Sequence, residues 1–164
     1  MAQTILIPTD FSIGSLQVLK EFLNKQEDNS KVNIIFAAGY TTSSSISDLL
    51  FFSKHRIIKT LNLDAFDDAV KIIENKYNNK VNLTKIEFFT GWNQRSFINF
   101  LEGNDVDQII YSKEEQLKSI HKSWFDITPL VRKIKYKQTA VEVDYDIEYP
   151  REYIALSPLF STRG

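Results

Sequence analysis

Short apolar runs alternate along this chain with stretches in which apolar residues recur every three or four positions. The first run, ILIP at residues 5–8, is followed by Leu16, Leu19 and Leu23, which predicts a strand and then an amphipathic helix. Strand and helix patterns go on alternating, with about thirty residues to a unit. Because parallel strands need such crossovers, the sequence predicts an α/β fold with a doubly wound, mostly parallel sheet and helices on both faces.

The individual elements follow from this alternation. Strands are expected at residues 5–8, 32–38, 83–89, 106–112 and 139–149, and helices at residues 16–23, 63–77, 93–103 and 128–134. Ser12 is expected to cap the first helix, Gly103 to end the third and Thr128 to cap the fourth. The prediction is thus a five-stranded, Rossmann-like sheet.

The size and composition of the chain allow one well-buried core. Of its 164 residues 43% are hydrophobic, so we expect a single domain at residues 1–149 and a tail at 150–164 docked on its own or a partner subunit. A net charge of -1 provides no field that would attract nucleic acid or a membrane surface, so neither is expected as a partner. The N-terminus lacks the features of a signal peptide, which favours a cytoplasmic protein. The absence of cysteine excludes disulfides and thiolate metal sites.

One connection is longer than the others. Residues 41–62 begin with a hydroxyl-rich run and continue with bulky apolar and basic side chains. Connections of this length are uncommon in compact domains unless they have a role. The segment is either an extra helix packed on the core or a flap that binds a partner.

The last predicted strand has a pattern unlike the others. Val141, Val143, Tyr145 and Ile147 alternate strictly with acidic residues, which predicts one buried and one solvated face. Central strands of a parallel sheet are covered on both faces, so this strand is expected at an edge. An edge strand exposes unpaired backbone groups, and these four residues are therefore candidates for the edge of a homodimer.

The opening strand ILIPTDFS, at residues 5–12, together with this order of elements, resembles the universal stress protein family. The resemblance implies the strand order 3-2-1-4-5 and a crevice between the first and fourth strands, where ligands of such sheets bind. It places Thr9 and Asp10 at that crevice and implies that an aspartate such as Asp10 helps to hold ATP. It also implies that the end of the second strand, at Ala38 and Gly39, lies beside the adenine.

The resemblance further implies a glycine-rich stretch after the fourth strand, whose backbone amides hold the phosphates. Here that stretch reads YSKEEQLKSIHKSWFDITPLV and contains no glycine. Ser112 and Glu115 stand where the first two glycines belong, and Phe125 and Asp126 replace the final glycine and hydroxyl residue. A carboxylate at Glu114 or Glu115 would also repel a triphosphate, and Asp126 would occupy the positive end of the last helix, which otherwise attracts anions. ATP binding in the family mode is therefore not expected, and no cofactor is predicted, although Ser112 and Asp126 remain candidates for the wall of the crevice.

Other residue types that could carry chemistry have simpler interpretations. His55 and His121 lie far apart in the sequence and are interpreted as surface residues, so no metal site is predicted. Ser12 is interpreted as a helix cap, since no base is visible for it, and no catalytic residue is assigned. Asp10 is either a ligand-binding residue or a brace for the turn after its strand.

Two tryptophans, Trp92 and Trp124, follow the third and fourth strands, at the rim where such folds bind ligands. They are interpreted as filling the space of an absent nucleotide.

Three functional hypotheses follow. The preferred one is a universal-stress-type regulatory or interaction module without catalytic activity, which forms homodimers through its last strand and has an unidentified protein partner. The alternative is a sensor that binds a nucleotide or other small molecule beside Asp10 through altered contacts. A phosphate-ester hydrolase ranks last because no base, metal cluster or phosphate cradle is visible.

Overall fold

The computed structural model of the chain describes residues 2–28, 30–42, 53–114 and 117–143. Six strands are found there: β1 Gln3–Pro8, β2 Val32–Tyr40, β3 Val81–Phe89, β4 Gln108–Ser112, β5 Trp124–Phe125 and β6 Gln138–Val141. A 3-10 turn at Ile13–Leu16 leads into the first of five α-helices: α1 Gln17–Lys25, α2 Lys54–Leu61, α3 Asp64–Lys76, α4 Gln94–Gly103 and α5 Thr128–Lys133. Strands and helices alternate as the hydrophobic pattern predicts.

Five of these strands form a parallel sheet in the order β3-β2-β1-β4-β6. In order of appearance this is 3-2-1-4-5, which confirms the doubly wound α/β prediction. The order reverses between β1 and β4, and the carboxyl end of β1 therefore borders the crevice at the switch point.

The sheet is covered on both faces by apolar side chains. On one face α1 and α3 contribute Leu19, Leu23 and Phe66, and on the other α4 and α5 contribute Phe97 and Val131. Successive residues of the central strands alternate between these two clusters, so β1 and β2 are buried on both sides.

The structure differs from the sequence prediction at the ends of elements. A short strand, β5, was not predicted, and it pairs antiparallel with the end of β2. Gly103 is the last residue of α4 and not its cap, and the left-handed residue beyond it is Asp105, with φ 54°. Thr128 is the first residue of α5 and not its cap, which is Ile127, and the Thr128 amide donates to the Asp126 carboxylate.

Two predicted segments are described only in part. Within residues 41–62 the structure describes α2, whose Ile57 is buried on the core, while residues 43–52 lie outside the described residues. The edge strand begins at Gln138, and its predicted continuation over residues 144–149 lies outside the described residues, as does the tail at 150–164. In the described part of the chain, no helix combines the length and apolar character needed to cross a membrane.

Candidate functional site

The turn that follows β1 is held by its own side chains. The Thr9 hydroxyl accepts a hydrogen bond from the Phe11 amide at 2.8 Å and contacts the Ser15 hydroxyl at 2.8 Å. Phe11 has a φ of 62°, which a phenylalanine adopts only where its surroundings hold it. The Ser12 hydroxyl accepts from the Ser15 amide, as predicted for a cap, and no partner base is needed to explain it.

Asp10 is at the crevice, but its carboxylate is already engaged. One oxygen accepts a hydrogen bond from the Ser12 amide at 3.0 Å, within the turn. The other accepts from the Lys118 amide at 3.1 Å, so it reaches the stretch that follows β4. The residue is 6% exposed. Both oxygens thus bind backbone of this chain, as expected for a brace.

The partner of Asp10 belongs to a segment that crosses the carboxyl ends of the strands. We call residues 117–127 the crossing segment. It starts beyond the end of β4, and its β5 pairs with Gly39 and Tyr40 at the end of β2. The Thr41 amide donates to the Ser123 carbonyl at 2.7 Å, which extends this pairing. The crossing segment therefore spans the crevice from the β4 side to the β2 side.

The two residues of β5 point to opposite faces of the sheet. Trp124 belongs to the core cluster that includes Phe11, and its indole N–H donates to the Thr9 carbonyl at 3.3 Å. Phe125 packs against the cluster on the other face, with its ring centroid 6.3 Å from that of Phe89. The interpretation of Trp124 as a filling residue is thus consistent with its contacts.

Gly39 is where the crossing segment comes closest to the sheet. A β-carbon at this position would lie 2.3 Å from the nearest atom of the Phe125 ring. Only glycine allows so close an approach, because any side chain would displace the ring. Ala38, the neighbouring residue, is 1% exposed and pairs with Phe88 of β3. The surface predicted to lie beside an adenine is therefore covered by Phe125.

The remaining crevice candidates that the structure describes are Ser112, at the end of β4, and Asp126, just before α5. Ser112 is the buried last residue of β4 and pairs with Val141 of β6. Asp126 accepts the Thr128 amide at 2.8 Å, so its carboxylate is used at the start of α5. Glu115 lies outside the described residues.

Trp92 and His121 differ from their predicted settings. Trp92 is 85% exposed, so the prediction that it fills the crevice is wrong for this residue. His121 is half-buried in the crossing segment, where its ring stacks on Tyr40 and its Nδ1 accepts the Ser123 amide at 3.1 Å. His55 is exposed, as predicted. Among the described residues, no three His, Asp or Glu side chains lie together as metal ligands.

The candidate dimer edge is described over its first half. β6 is the outermost strand on its side of the described sheet and pairs only with β4 there. Val141 and Val143 are each 6% exposed, whereas Glu142 between them is exposed. Tyr145 and Ile147 lie outside the described residues.

Sequence reasoning missed the part played by the crossing segment. Trp124 was expected to fill space at the crevice, but neither the pairing of β5 with β2 nor the hydrogen bond from the Lys118 amide to Asp10 was predicted. The available signal was the pair of large aromatics, Trp124 and Phe125, in a stretch that would otherwise be a polar loop.

No protein-family model matches the chain, and no curated protein matches it. Solved structures of similar fold are nevertheless found. A universal stress protein family member from Burkholderia pseudomallei is 10% identical with a TM-score of 0.53, over 86% of this chain and 96% of that one. A universal stress protein from Lactobacillus plantarum is 15% identical with a TM-score of 0.52, over 85% of this chain and 97% of that one. A hypothetical protein of known structure is 22% identical with a TM-score of 0.50, over 88% and 99%.

These structures align with nearly their whole length on this chain, and the sheet order agrees with the order expected from ILIPTDFS. At such low identities the likeness concerns the fold. The resemblance is thus confirmed at this level: the chain has the α/β fold of universal stress proteins.

Proposed function

We propose that this protein is a universal-stress-type regulatory or interaction module that catalyses no reaction and does not bind ATP in the family mode. The observation that carries the proposal is the hydrogen bond from the Lys118 amide to Asp10. The aspartate expected to help hold a nucleotide instead holds the segment that stands in place of the phosphate loop. Breaking the hydrogen bond between the Lys118 amide and Asp10 would leave a buried carboxylate oxygen without its partner, which costs free energy.

The crossing segment supports the proposal in a second way. The Phe125 ring occupies the space over Gly39 where the resemblance places an adenine. Glu114 lies at the start of the stretch, and its negative charge opposes a polyphosphate. An ATP molecule would therefore have to displace an aromatic ring and would meet a carboxylate.

Calorimetric titration with ATP and magnesium, together with thermal unfolding, tests the nucleotide part of the proposal. We expect no heat of binding and no shift of the unfolding temperature. If ATP stabilises the protein and the effect disappears in Asp10→Ala but persists in Asp28→Ala, the protein is a nucleotide sensor that uses the Asp10 crevice through altered contacts. Turnover of a generic phosphate ester would contradict the absence of catalysis.

We also propose that the protein forms a homodimer through β6. The Lys137 carbonyl accepts a hydrogen bond from Ile109 of β4, and the Val141 carbonyl accepts one from Lys113, just beyond β4. The backbone N–H and C=O groups of alternate residues from 137 to 141 therefore face β4. The intervening groups of Gln138 and Ala140 face away from the sheet. A second copy related by a twofold axis can satisfy these groups by pairing its own β6 against this edge.

Proline substitutions on β6 separate dimerisation from folding. Ala140→Pro removes an outward amide that β4 does not use, so we expect a folded monomer by light scattering coupled to size exclusion. Thr139→Pro is the matched control, because it removes an amide directed at β4 and should lower the unfolding temperature. An Ala140→Pro variant that remains dimeric would contradict pairing through this edge.

A further inference from the structure

A groove lies away from the crevice, between α1 and the edge strand β6. Its volume is about 480 Å³, and both strands β4 and β6 contribute to its lining. Pockets for small organic ligands commonly have volumes of about 300–1,000 Å³. The groove is therefore large enough for a small molecule, and none of the crevice residues discussed above lines it.

The floor of the groove is apolar. Ile110 of β4 and Val141 of β6 are 0% and 6% exposed, and both belong to the core cluster under α1. Phe22 of α1 is half-buried and packs against the same cluster. A ligand lying on this floor would contact side chains that are already part of a packed core, so it needs an apolar body.

One buried polar side chain lies in this apolar lining. Gln108, the first residue of β4, is 9% exposed and contributes to the groove. Among the described residues, no hydrogen-bond partner is found for its side-chain amide. The residue as a whole is nine-tenths buried, but its amide is not among the fully buried polar atoms that lack a partner, so a ligand in the groove can reach it.

The two lysines of the groove differ in their surroundings. Lys113 lies 3.4 Å from the Glu142 carboxylate, so its charge is balanced at that end. Lys25, in the last turn of α1, forms within the described ranges only a long 4.0 Å contact with Glu21. A crossover helix runs antiparallel to its strands, so the end of α1 lies level with the start of β4. Lys25 and Gln108 therefore lie at the same end of the groove.

We propose that this groove binds a small molecule with an apolar body and one negative charge, such as a carboxylate or sulfonate. The apolar body lies on Phe22 and Val141, above the fully buried Ile110, and the anionic group lies between the Lys25 ammonium and the Gln108 amide. Charge complementarity with Lys25 favours an anion, because the other lysine is already paired. The proposal does not depend on the absence of ATP binding at the Asp10 crevice, because the groove lies elsewhere, but it shares β6 with the proposed dimer edge.

Two fluorescent probes of the same shape test this assignment. 8-Anilinonaphthalene-1-sulfonate carries the charge, and N-phenyl-1-naphthylamine is its uncharged analogue. We expect the folded full-length protein to bind one sulfonate probe per chain with saturation, and more tightly than the neutral probe. Thr139→Trp places an aromatic ring in the groove from β6 and should abolish the binding of both probes.

The charge is tested with three matched lysine variants. Lys25→Gln should weaken the binding of the sulfonate probe about fivefold and leave the affinity for the neutral probe unchanged. Two control variants are Lys113→Gln, inside the groove but paired with Glu142, and Lys59→Gln, on the distant α2. Each should change the affinity for the sulfonate probe by less than about twofold. Gln108→Leu should also weaken the binding of the sulfonate probe more than that of the neutral probe. Unchanged thermal unfolding of each variant shows that the probes report the folded state.

Three results would overturn the proposal. The first is equal loss of sulfonate binding in the Lys25 and Lys59 variants, which would indicate a general charge effect. The second is full binding by Thr139→Trp, which would place the probe elsewhere. The third is tighter probe binding by Leu156→Asp/Phe160→Asp in the full chain, which would show that the chain's own tail is the occupant.

Discussion

The aromatic ring of Phe125 lies against the Cα of Gly39, so close that a β-carbon there would come within 2.3 Å of the ring. We expect Gly39→Ala to lower the free energy of unfolding by about 2 kcal/mol, because the added methyl group must displace the ring or bend β2. Urea denaturation at constant pH measures this difference.

A second glycine is the control for that prediction. A β-carbon at Gly103 meets no atom within 4 Å, so Gly103→Ala should raise the free energy of unfolding by about 0.5–1 kcal/mol. In a Phe125→Leu background the cost of Gly39→Ala should fall, because the ring has been removed. Equal costs of Gly39→Ala in both backgrounds would contradict the contact.

Asp10 is expected to act as a structural brace. Asp10→Ala removes the acceptors of the Ser12 and Lys118 amides, and we expect the free energy of unfolding to fall by about 2–4 kcal/mol. Hydrogen exchange of the Lys118 amide should become faster. Asp126→Ala removes a local hydrogen bond to Thr128, so the free energy of unfolding should fall by about 1 kcal/mol. Hydrogen exchange of the Lys118 amide should stay unchanged in this variant.

The two tryptophans should be distinguishable by fluorescence. Trp92 is 85% exposed and Trp124 is 7% exposed. We expect iodide to quench the emission of Trp124→Phe, which retains Trp92, and to have little effect on Trp92→Phe, which retains the buried indole. Similar quenching of the two variants would mean that Trp124 is not packed in the core cluster in solution.

Tyr136 should make stability depend on alkaline pH. Burial raises the pKa of Tyr136 above its ordinary value of 10.0, and the negative charges of Glu102 and Asp107 raise it further. Its hydroxyl donates to the Val106 carbonyl, a bond that only the protonated form can make. The folded state therefore holds this proton more tightly, and the resulting stability is present below pH 10 and lost as pH rises through the folded pKa.

Tyr136→Phe tests this dependence. Urea midpoints of both proteins should be measured from neutral pH upwards past the tyrosine range. The variant should be less stable at neutral pH because it lacks the bond to Val106. The difference in urea midpoint between the wild-type protein and the variant should shrink above pH 10. A difference that stays constant would contradict the raised pKa of Tyr136.

Hydrophobic periodicity was sufficient to predict most of the fold. The stripe Leu63, Phe66, Val70 and Ile73 predicted α3, and all four are buried in the core cluster. The apolar run of β2 predicted a strand covered on both faces, as found. These signals are strong because one local period determines which side chains face the sheet.

The arrangement at the crevice was predicted less well. β5 has only two residues, too few for a period, and it forms because Gly39 lets Phe125 approach. Trp92 and Trp124 both follow strands of the predicted sheet, yet one is exposed and one is buried. What separates them is the bond of the Trp124 indole to Thr9, a contact between distant residues that no local pattern encodes.

The crossing segment also bears on the order in which the chain folds. Its bonds to Asp10 and Thr9 join residues 108 and 115 positions apart, and closing such loops in an unfolded chain is entropically costly. Once β4 pairs with β1, only the few residues after Ser112 separate the segment from Asp10. Closure is then nearly local, so the segment orders late, and substitutions within it should accelerate unfolding while leaving the folding rate nearly unchanged.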